Sequence, residues 1–258
     1  MTLCLIDVRK AGRLVMLAAC AAACSTPPRA VPAQATPRAM FGDARQLIVV
    51  RTGDWSATSG VLQRYERRSG PPIWTPVGGS IPIVIGRTGL AWGVGFDRFA
   101  SNEPIKHEGD GKSPAGIFPL DTAFGFAPSI PALKLPYYPL RGTSDCVDDT
   151  ASAHYNTVVD RNRVPTIDWH SAEKMREISQ YRIGVIVGYN AAPPVKPRGS
   201  CVFLHIWSGP ESHTAGCTAM DVSALQDVMM WLDSRKRPMI VQLTDGAYDR
   251  LRAAWDLP

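Results

Sequence analysis

Cys217 and His205 are the two side chains of this 258-residue chain whose types and spacing best fit covalent chemistry. Residues 201–220 read CVFLHIWSGPESHTAGCTAM: an apolar run carries the histidine, and a turn of small residues leads to the cysteine. A thiolate is a strong nucleophile, and a histidine can take the thiol proton and return it to a leaving amine. The pattern therefore predicts a cysteine nucleophile with a histidine base.

The residues around this pair receive supporting roles. His205 ends a strand-like run that would hold its ring rigidly, whereas His213 lies in a polar loop, so the former is preferred as the base. Gly216 and Thr218 flank the cysteine in a small-residue turn, where their backbone amides are expected to form an oxyanion hole. His213 and Thr214 are expected to contact the substrate.

The sequence offers two other candidate sites, and its residue patterns support each of them less well. His205, His213 and Cys217 form an alternative set of three zinc ligands, but no C-x-x-C pair accompanies them, and the prediction includes neither a metal nor a cofactor. Asp148 and Asp149 could form an acid and base pair, yet adjacent acidic residues are more typical of a turn or a helix cap.

Short β-branched or aromatic runs separated by Gly, Pro, Ser and Asp predict strands, which would form a meandering antiparallel sheet. These runs lie at 46–50, 61–67, 72–77, 81–86 and 90–94. Region 121–180 is irregular and rich in aromatic residues and prolines, as expected of loops that recognise a substrate. His154 and His170 in this region are expected to be structural or exposed.

Two nearly continuous apolar runs, 182–190 and 200–207, predict buried central strands. A helix follows Cys217, with Asp221 or Ser223 as its cap, so the thiolate should lie close to a helix N-terminus. Its predicted apolar stripe contains Val222, Leu225, Met229 and Leu232. Strand 238–244 and a terminal helix at 246–256 complete a mostly β domain with a few helices, which spans residues 46–258.

The N-terminus is expected to direct export. Residues 1–19 combine basic residues with a short apolar run, and Leu17-Ala18-Ala19-Cys20 resembles the lipobox of bacterial lipoproteins. Residues 20–45 would then be a lipidated cysteine and a Pro/Ala-rich tether. The predicted location is periplasmic and lipid-anchored, with the outer membrane preferred because alanine follows Cys20. The alternatives are lipidation at Cys24, a poorer match, or a plain secretory signal with an incidental cysteine.

Export permits disulfides, so the remaining cysteines have two interpretations. Cys146 and Cys201 pair and leave Cys217 as a free thiol, or both stay buried and unpaired. Lys106 and Lys112 belong to a polar loop, 101–120, and are expected to be solvated because the loop lacks the glycine spacing of a phosphate-binding motif. The net charge is +5, but the sequence contains no run of basic residues interleaved with aromatic residues. This argues against a nucleic-acid partner.

Two motifs resemble those of the L,D-transpeptidase (YkuD-type) family of peptidoglycan enzymes. Residues 110–118, DGKSPAGIF, are similar to that family's D-G-x-[ST]-P-x-G-x-[FY] stretch, and His205 with Gly216-Cys217 resembles its active-site pattern. The resemblance implies a β-rich catalytic domain, a nucleophile at Cys217, and a base at His205 that is oriented by a backbone carbonyl near Ile206. It requires no cofactor.

The chain also departs from that pattern. Ala215 and Ala219 stand where the family has a second histidine and an Arg or Asn, which indicates a divergent branch and leaves the substrate less certain than the chemistry. The resemblance implies acyl transfer between peptidoglycan stem peptides through a thioester, with a stem peptide or a lipoprotein as the amine acceptor. Hydrolysis by an L,D-carboxypeptidase or endopeptidase and a non-catalytic wall-binding lipoprotein remain the alternatives.

Overall fold

Strands dominate the residues that this computed structural model describes, 41–67 and 73–258. The predicted signal peptide, the lipobox cysteine and most of the tether lie outside the described residues. The strands are β1 (Gln46–Thr52), β2 (Ser59–Glu66), β3 (Thr75–Val84), β4 (Leu90–Trp92), β5 (Ser113–Gly125), β6 (Tyr137–Pro139), β7 (Ser144–Val147), β8 (Val158–Asp160), β9 (Ala172–Lys174), β10 (Ile183–Val187), β11 (Phe203–Ile206), β12 (Thr218–Met220) and β13 (Met239–Thr244).

The helices are few and short, so the mostly β prediction is confirmed. The two α-helices of the described part are α1 (Val222–Trp231) and α2 (Asp245–Trp255). Single 3₁₀ turns occupy Asp97–Phe99, Arg161–Arg163, Met175–Glu177, Ser179–Arg182 and Ser234–Lys236. None of the helices in the described ranges is both long and apolar enough to cross a membrane.

The main sheet is mixed, and it closes on itself. Its strand order is β10-β11-β12-β3-β2-β1-β13-β5-β4, and β10 also pairs with β5. The antiparallel run β1-β2-β3 agrees with the predicted meander. The pairs β1–β13, β4–β5 and β11–β12 are parallel, so a wholly antiparallel sheet was wrong. Parallel neighbours need long crossovers, and the periodicity of a single strand does not reveal them.

The predicted strand positions agree well with the structure, with two exceptions. The runs at 72–77 and 81–86 form one strand, β3, rather than two. The region expected to be irregular contains β6 and a separate three-stranded sheet of order β8-β7-β9. These strands have only three or four residues each, too few for alternation to mark them in a sequence.

Helix α1 begins where the sequence predicted, but it does not reach the cysteine. Asp221 is its cap, because its Oδ1 accepts a hydrogen bond from the amide of Ser223 at 2.8 Å. Strand β12 separates Cys217 from the helix, so the expected helix N-terminus beside the thiol is absent from this site. In the predicted stripe, Leu225, Met229 and Leu232 are buried, but Val222 is 36% exposed.

A separate apolar cluster surrounds the cysteine, apart from the large core of the closed sheet. The cluster joins the small sheet to β5, β11 and the 3₁₀ turn at Ser179–Arg182. Its buried members are Phe124, Leu140, Cys146, Met175, Tyr181, Cys201, Phe203 and Cys217. The candidate nucleophile is therefore packed on several sides by elements that are far apart in sequence.

Candidate active site

Strands β11 and β12 place the cysteine and the histidine on one face of the sheet. Their parallel register pairs Leu204 with Thr218 and His205 with Ala219. Side chains alternate between the two faces of a strand. Cys217 precedes β12 by one residue, so it shares a face with Ala219 and is a diagonal neighbour of His205. Diagonal neighbours on paired strands lie close enough for long side chains to interact.

His205 is held as a neutral imidazole in one tautomer. Its Nδ1 lies 2.8 Å from the carbonyl oxygen of Ile206, and a carbonyl can only accept, so Nδ1 carries the proton. The predicted contact of this ring with a carbonyl at Ile206 is thus present, and the role of His205 as a base stays a prediction. Burial lowers the pKa of His205 to about 4, partly offset by that hydrogen bond. Nε2 is the nitrogen left to accept a proton.

Cys217 is buried, with 5% of its surface exposed, and it is the free cysteine among the described residues. The amide of Phe203 donates to its Sγ at 3.3 Å, and the thiol in turn lies 3.4 Å from the carbonyl oxygen of Cys201. Burial raises the pKa of this thiol well above its ordinary value, and the negative charge of Glu173 raises it further. In the resting site the nucleophile is therefore a protonated thiol.

A disulfide joins Cys146 to Cys201, which confirms the paired interpretation. It links β7 to the segment that leads into β11, and the amide of Cys201 is fixed by a 2.9 Å hydrogen bond to Oδ1 of Asn156. Since the carbonyl of Cys201 also contacts Sγ of Cys217, this bridge supports one wall around the thiol.

The turn before the cysteine is fixed by its own side chains. The hydroxyl of Thr214 donates to the carbonyl oxygen of Cys217 at 2.7 Å and accepts the amide of Gly216 at 3.0 Å. The Gly216 amide is thus not free to form the expected oxyanion hole, because it already donates to the hydroxyl of Thr214 within the turn. Gly216 has φ of 155°, and a Cβ there would lie 2.9 Å from the carbonyl oxygen of Lys112. Glycine is the residue that fits this position.

Thr218 and His213, which were also expected to contribute to substrate binding, lie in different environments. Thr218 is buried, and its hydroxyl donates to Oε1 of Gln242 at 2.5 Å, on the face opposite the thiol. His213 is exposed and lines the cleft beside His205. It therefore remains available to a bound molecule, whereas the Thr218 side chain does not.

The two motif segments of the sequence meet at the carbonyl of the cysteine. Ser113 donates its hydroxyl to the carbonyl oxygen of Cys217 at 2.9 Å and accepts the amide of Gly86 at 3.0 Å. Residues 110–118 thus hold the cysteine turn in place through Ser113. They do not supply a reacting group.

The prediction of a solvated Lys106 is wrong. Lys106 is 4% exposed, and its Nζ lies 2.6 Å from both Oδ1 of Asp110 and the carbonyl oxygen of His107. The carboxylate and the carbonyl replace the water that the ammonium loses. Lys112 is half-buried, and its Nζ donates to the carbonyl oxygen of Thr88.

The acidic pair forms a turn, as its ordinary interpretation expects. Asp149 accepts the amides of His170 and Ala151, each at 2.8 Å, and these two hydrogen bonds lower its pKa. His170 is exposed, and the ring of His154 packs edge-on against a neighbouring tryptophan. These two histidines have the structural or surface positions that were expected.

Two clefts reach the thiol from different directions. The first has a volume of about 180 Å³ and is lined by His205, Tyr181, Ile206, Trp207, Ser208 and His213, among others. The second, of about 190 Å³, is lined by charged residues that include Arg87, Lys106, Glu108 and Asp148. Glu173, Ala215 and Cys217 line both. The thiol is therefore the point at which two bound molecules would meet.

Sequence reasoning missed two residues of the site, Glu173 and Tyr181. The hydroxyl of Tyr181 donates to Oε2 of Glu173 at 2.7 Å, and the Tyr181 ring lies edge-on to that of His205 at 5.2 Å. Burial raises the pKa of Glu173 to about 7. Both residues belong to short elements without periodicity, and no local signal in the sequence distinguishes them from other polar residues.

Within residues 41–67 and 73–258, no group of three or more His, Cys, Asp or Glu could hold a metal ion. His205, His213 and Cys217 therefore do not form the alternative zinc site. Comparisons with protein-family models, with curated proteins and with solved structures found no match.

Proposed function

We propose that the protein is a cysteine acyltransferase of the L,D-transpeptidase type, which acts on peptidoglycan stem peptides through a thioester on Cys217. The observation that carries the proposal is the arrangement of this free thiol and His205 on one sheet face. The histidine is fixed by Ile206 so that its unprotonated nitrogen remains to serve the reacting groups. A nucleophile and an oriented base are the minimum that acyl transfer requires.

The reaction would proceed in two steps. The sulfur attacks the carbonyl of the third residue of a stem tetrapeptide, and the terminal D-alanine leaves with a proton on its amine. An amine from a second stem peptide, or from a lipoprotein, then attacks the thioester and restores the thiol. The two clefts that meet at Cys217 support a reaction with a donor and an acceptor. No cofactor takes part in either step.

Water in place of the amine would make the protein an L,D-carboxypeptidase or endopeptidase. The second cleft bears on this choice because its lining includes charged residues of both signs beside the buried Lys106, namely Arg87, Glu108 and Asp148. An amino acid with a free ammonium and a free carboxylate finds a partner for each group there. This composition favours an amine acceptor over water.

One observation favours the non-catalytic alternative, a wall-binding lipoprotein. Cys217 is 5% exposed, and its thiol is protonated in the resting site. The family pattern has a histidine where Ala215 lies exposed beside both clefts, so that polar group is missing at their junction. The periplasmic, lipid-anchored location applies equally to the enzyme and to the binding protein.

Mass spectrometry of the full chain with a carbapenem and with muropeptides tests the proposal. We expect a covalent adduct on the peptide that contains Cys217, and none in Cys217→Ala. With muropeptides, His205→Asn should form product about 100-fold more slowly, as loss of general base catalysis does. A folded protein that forms no adduct would refute the enzyme and support the binding protein. Crosslinked dimers or shortened stems among the products distinguish transfer from hydrolysis.

A further inference from the structure

Two side chains joined by a hydrogen bond, Glu173 and Tyr181, line the same cleft as the proposed nucleophile. Glu173 belongs to β9, where it pairs in register with Cys146, and Tyr181 belongs to the adjacent 3₁₀ turn. The Tyr181 hydroxyl donates to Oε2 of Glu173 at 2.7 Å, and Tyr181 and Cys217 belong to one buried cluster and line one cleft. Tyr181 is 4% exposed, so bulk water does not compete for this hydroxyl.

A Cys217 thiolate would offer the Tyr181 proton a second acceptor beside Glu173. A phenol both donates and accepts, so the Tyr181 oxygen can receive a proton from one neighbour while it gives its own to the other. When Glu173 is a carboxylate, the hydroxyl donates to it. When Glu173 carries a proton, the same hydroxyl is free to donate to a Cys217 thiolate, which makes the chain a path between sulfur and carboxylate.

We propose that Glu173 accepts the thiol proton of Cys217 through the hydroxyl of Tyr181. The S–H bond breaks and its proton bonds to the phenol oxygen, while the phenol O–H bond breaks and its proton bonds to Oε2 of Glu173. The products are a thiolate, an intact tyrosine and a carboxylic acid. In the proposed acyl transfer, on which this role rests, the Tyr181 hydroxyl gives its proton to the leaving amine and takes back the proton of Glu173.

Charge separation favours this path over direct transfer to the histidine. Proton transfer from Cys217 to His205 would turn two neutral buried groups into an ion pair, which burial makes expensive. Transfer to Glu173 moves a single negative charge from carboxylate to sulfur and creates no new charge. A proton acceptor also works best when its pKa lies near the working pH. The pKa of Glu173 is about 7, whereas that of His205 is about 4.

His205 then serves the second step. It stays neutral in the first step, with Nδ1 bound to the Ile206 carbonyl. In the second step its Nε2 can take the proton of the attacking amine and pass it to the departing sulfur, which restores the thiol.

Other charged groups around the path influence when Glu173 is ionised. Asp148 and Glu108 raise its pKa by repulsion, after the larger effect of burial, and Lys106 attracts the thiolate. The charged or titratable groups that face the path are Arg87, Lys106, Glu108, Asp148, His205 and His213. Glu173 can accept a proton only when ionised, so thiol reactivity should rise as the pH passes upward through about 7.

Alkylation of Cys217 by iodoacetamide, followed by mass spectrometry of its peptide in the full chain, tests the relay without any peptidoglycan. We expect Glu173→Gln to slow alkylation on the order of 100-fold at neutral pH and to remove the rise near pH 7. Tyr181→Phe should cause the same loss, and the double variant no further loss. Glu177→Gln, which changes an exposed carboxylate in the neighbouring turn, should alkylate at the wild-type rate.

Whether Glu173→Gln slows or speeds the alkylation of Cys217 distinguishes the proton relay from simple charge repulsion. If the Glu173 charge only opposes the thiolate, Glu173→Gln alkylates faster, and the relay is refuted; an unchanged rate refutes it as well. Should Glu173→Gln not fold, as judged by thermal unfolding, the alkylation rate of Tyr181→Phe decides between relay and repulsion. Adduct formation with a carbapenem tests the proposed function separately, so normal adduct formation with an unchanged alkylation rate would overturn the relay alone.

Discussion

Removal of the Cys146–Cys201 disulfide should destabilise the fold by an amount that the loop length sets. The two residues are 55 positions apart. If the bridge acts through the entropy of the unfolded chain, closing a loop of that length contributes about 4 kcal/mol at 25 °C. For a domain of this size each kcal/mol corresponds to about 2–4 °C, so the double variant Cys146→Ser/Cys201→Ser should melt about 8–16 °C lower.

Urea unfolding of the wild type and the double variant, followed by tryptophan fluorescence, measures the difference in free energy. Both cysteines are replaced because a single replacement would leave an unpaired thiol beside Cys217. A reductant should lower the wild type to the level of the variant and leave the variant unchanged. Equal unfolding free energies for the oxidised wild type and the variant would show that the bridge adds no constraint, and would refute the reasoning.

Three further changes test supports of the site and of the fold. Gly216→Ala, whose Cβ would lie 2.9 Å from a backbone carbonyl, should cost about 1–3 kcal/mol in urea unfolding. Gly209→Ala, also at positive φ but with nothing within 4 Å, is the control and should cost less. Thr218→Val leaves Oε1 of Gln242 without its buried donor and should cost about 1–3 kcal/mol; an unchanged free energy would show that this bond contributes nothing. The pKa of Asp233 is lowered to about 2 from 3.8 by hydrogen bonds from a neighbouring arginine, so its contribution is present above about pH 4 and is lost as the pH falls towards 2. Asp233→Asn should therefore unfold with a flatter acid limb, and a limb as steep as that of the wild type would contradict the assignment.

The sequence predicts those parts of the fold that local patterns encode. Strands β1, β10 and β13 are continuous apolar runs because they are buried on both faces, and helix α1 follows its Asp221 cap. The parallel neighbours of β1 and β11 could not be predicted, since pairing depends on contacts between residues far apart in the chain. The small sheet was missed because strands as short as β8 carry too few residues to alternate visibly.

In the site, too, local sequence identifies some residues, whereas others are brought in only by tertiary packing. Cys217 and His205 were identified because they share one short stretch, and the strand register then explains why they lie on one face. Glu173 and Tyr181 contact that face only through tertiary packing. The proximity of a helix N-terminus was wrongly predicted, because sequence distance to α1 conceals the intervening strand β12.

The disulfide and the proposed proton path share backbone contacts, so the proposal predicts a role for the bridge beyond stability. Cys146 pairs in register with Glu173, so the strand that carries the proposed proton acceptor is bound to one end of the bridge. Cys201, at the other end, places its carbonyl 3.4 Å from Sγ of Cys217. The bridge thus connects the acceptor strand covalently to the wall of the thiol, and a path of hydrogen bonds tolerates little change in distance. In our proposal, no helix dipole stabilises the thiolate, and this fixed path makes a buried and protonated cysteine compatible with nucleophilic chemistry.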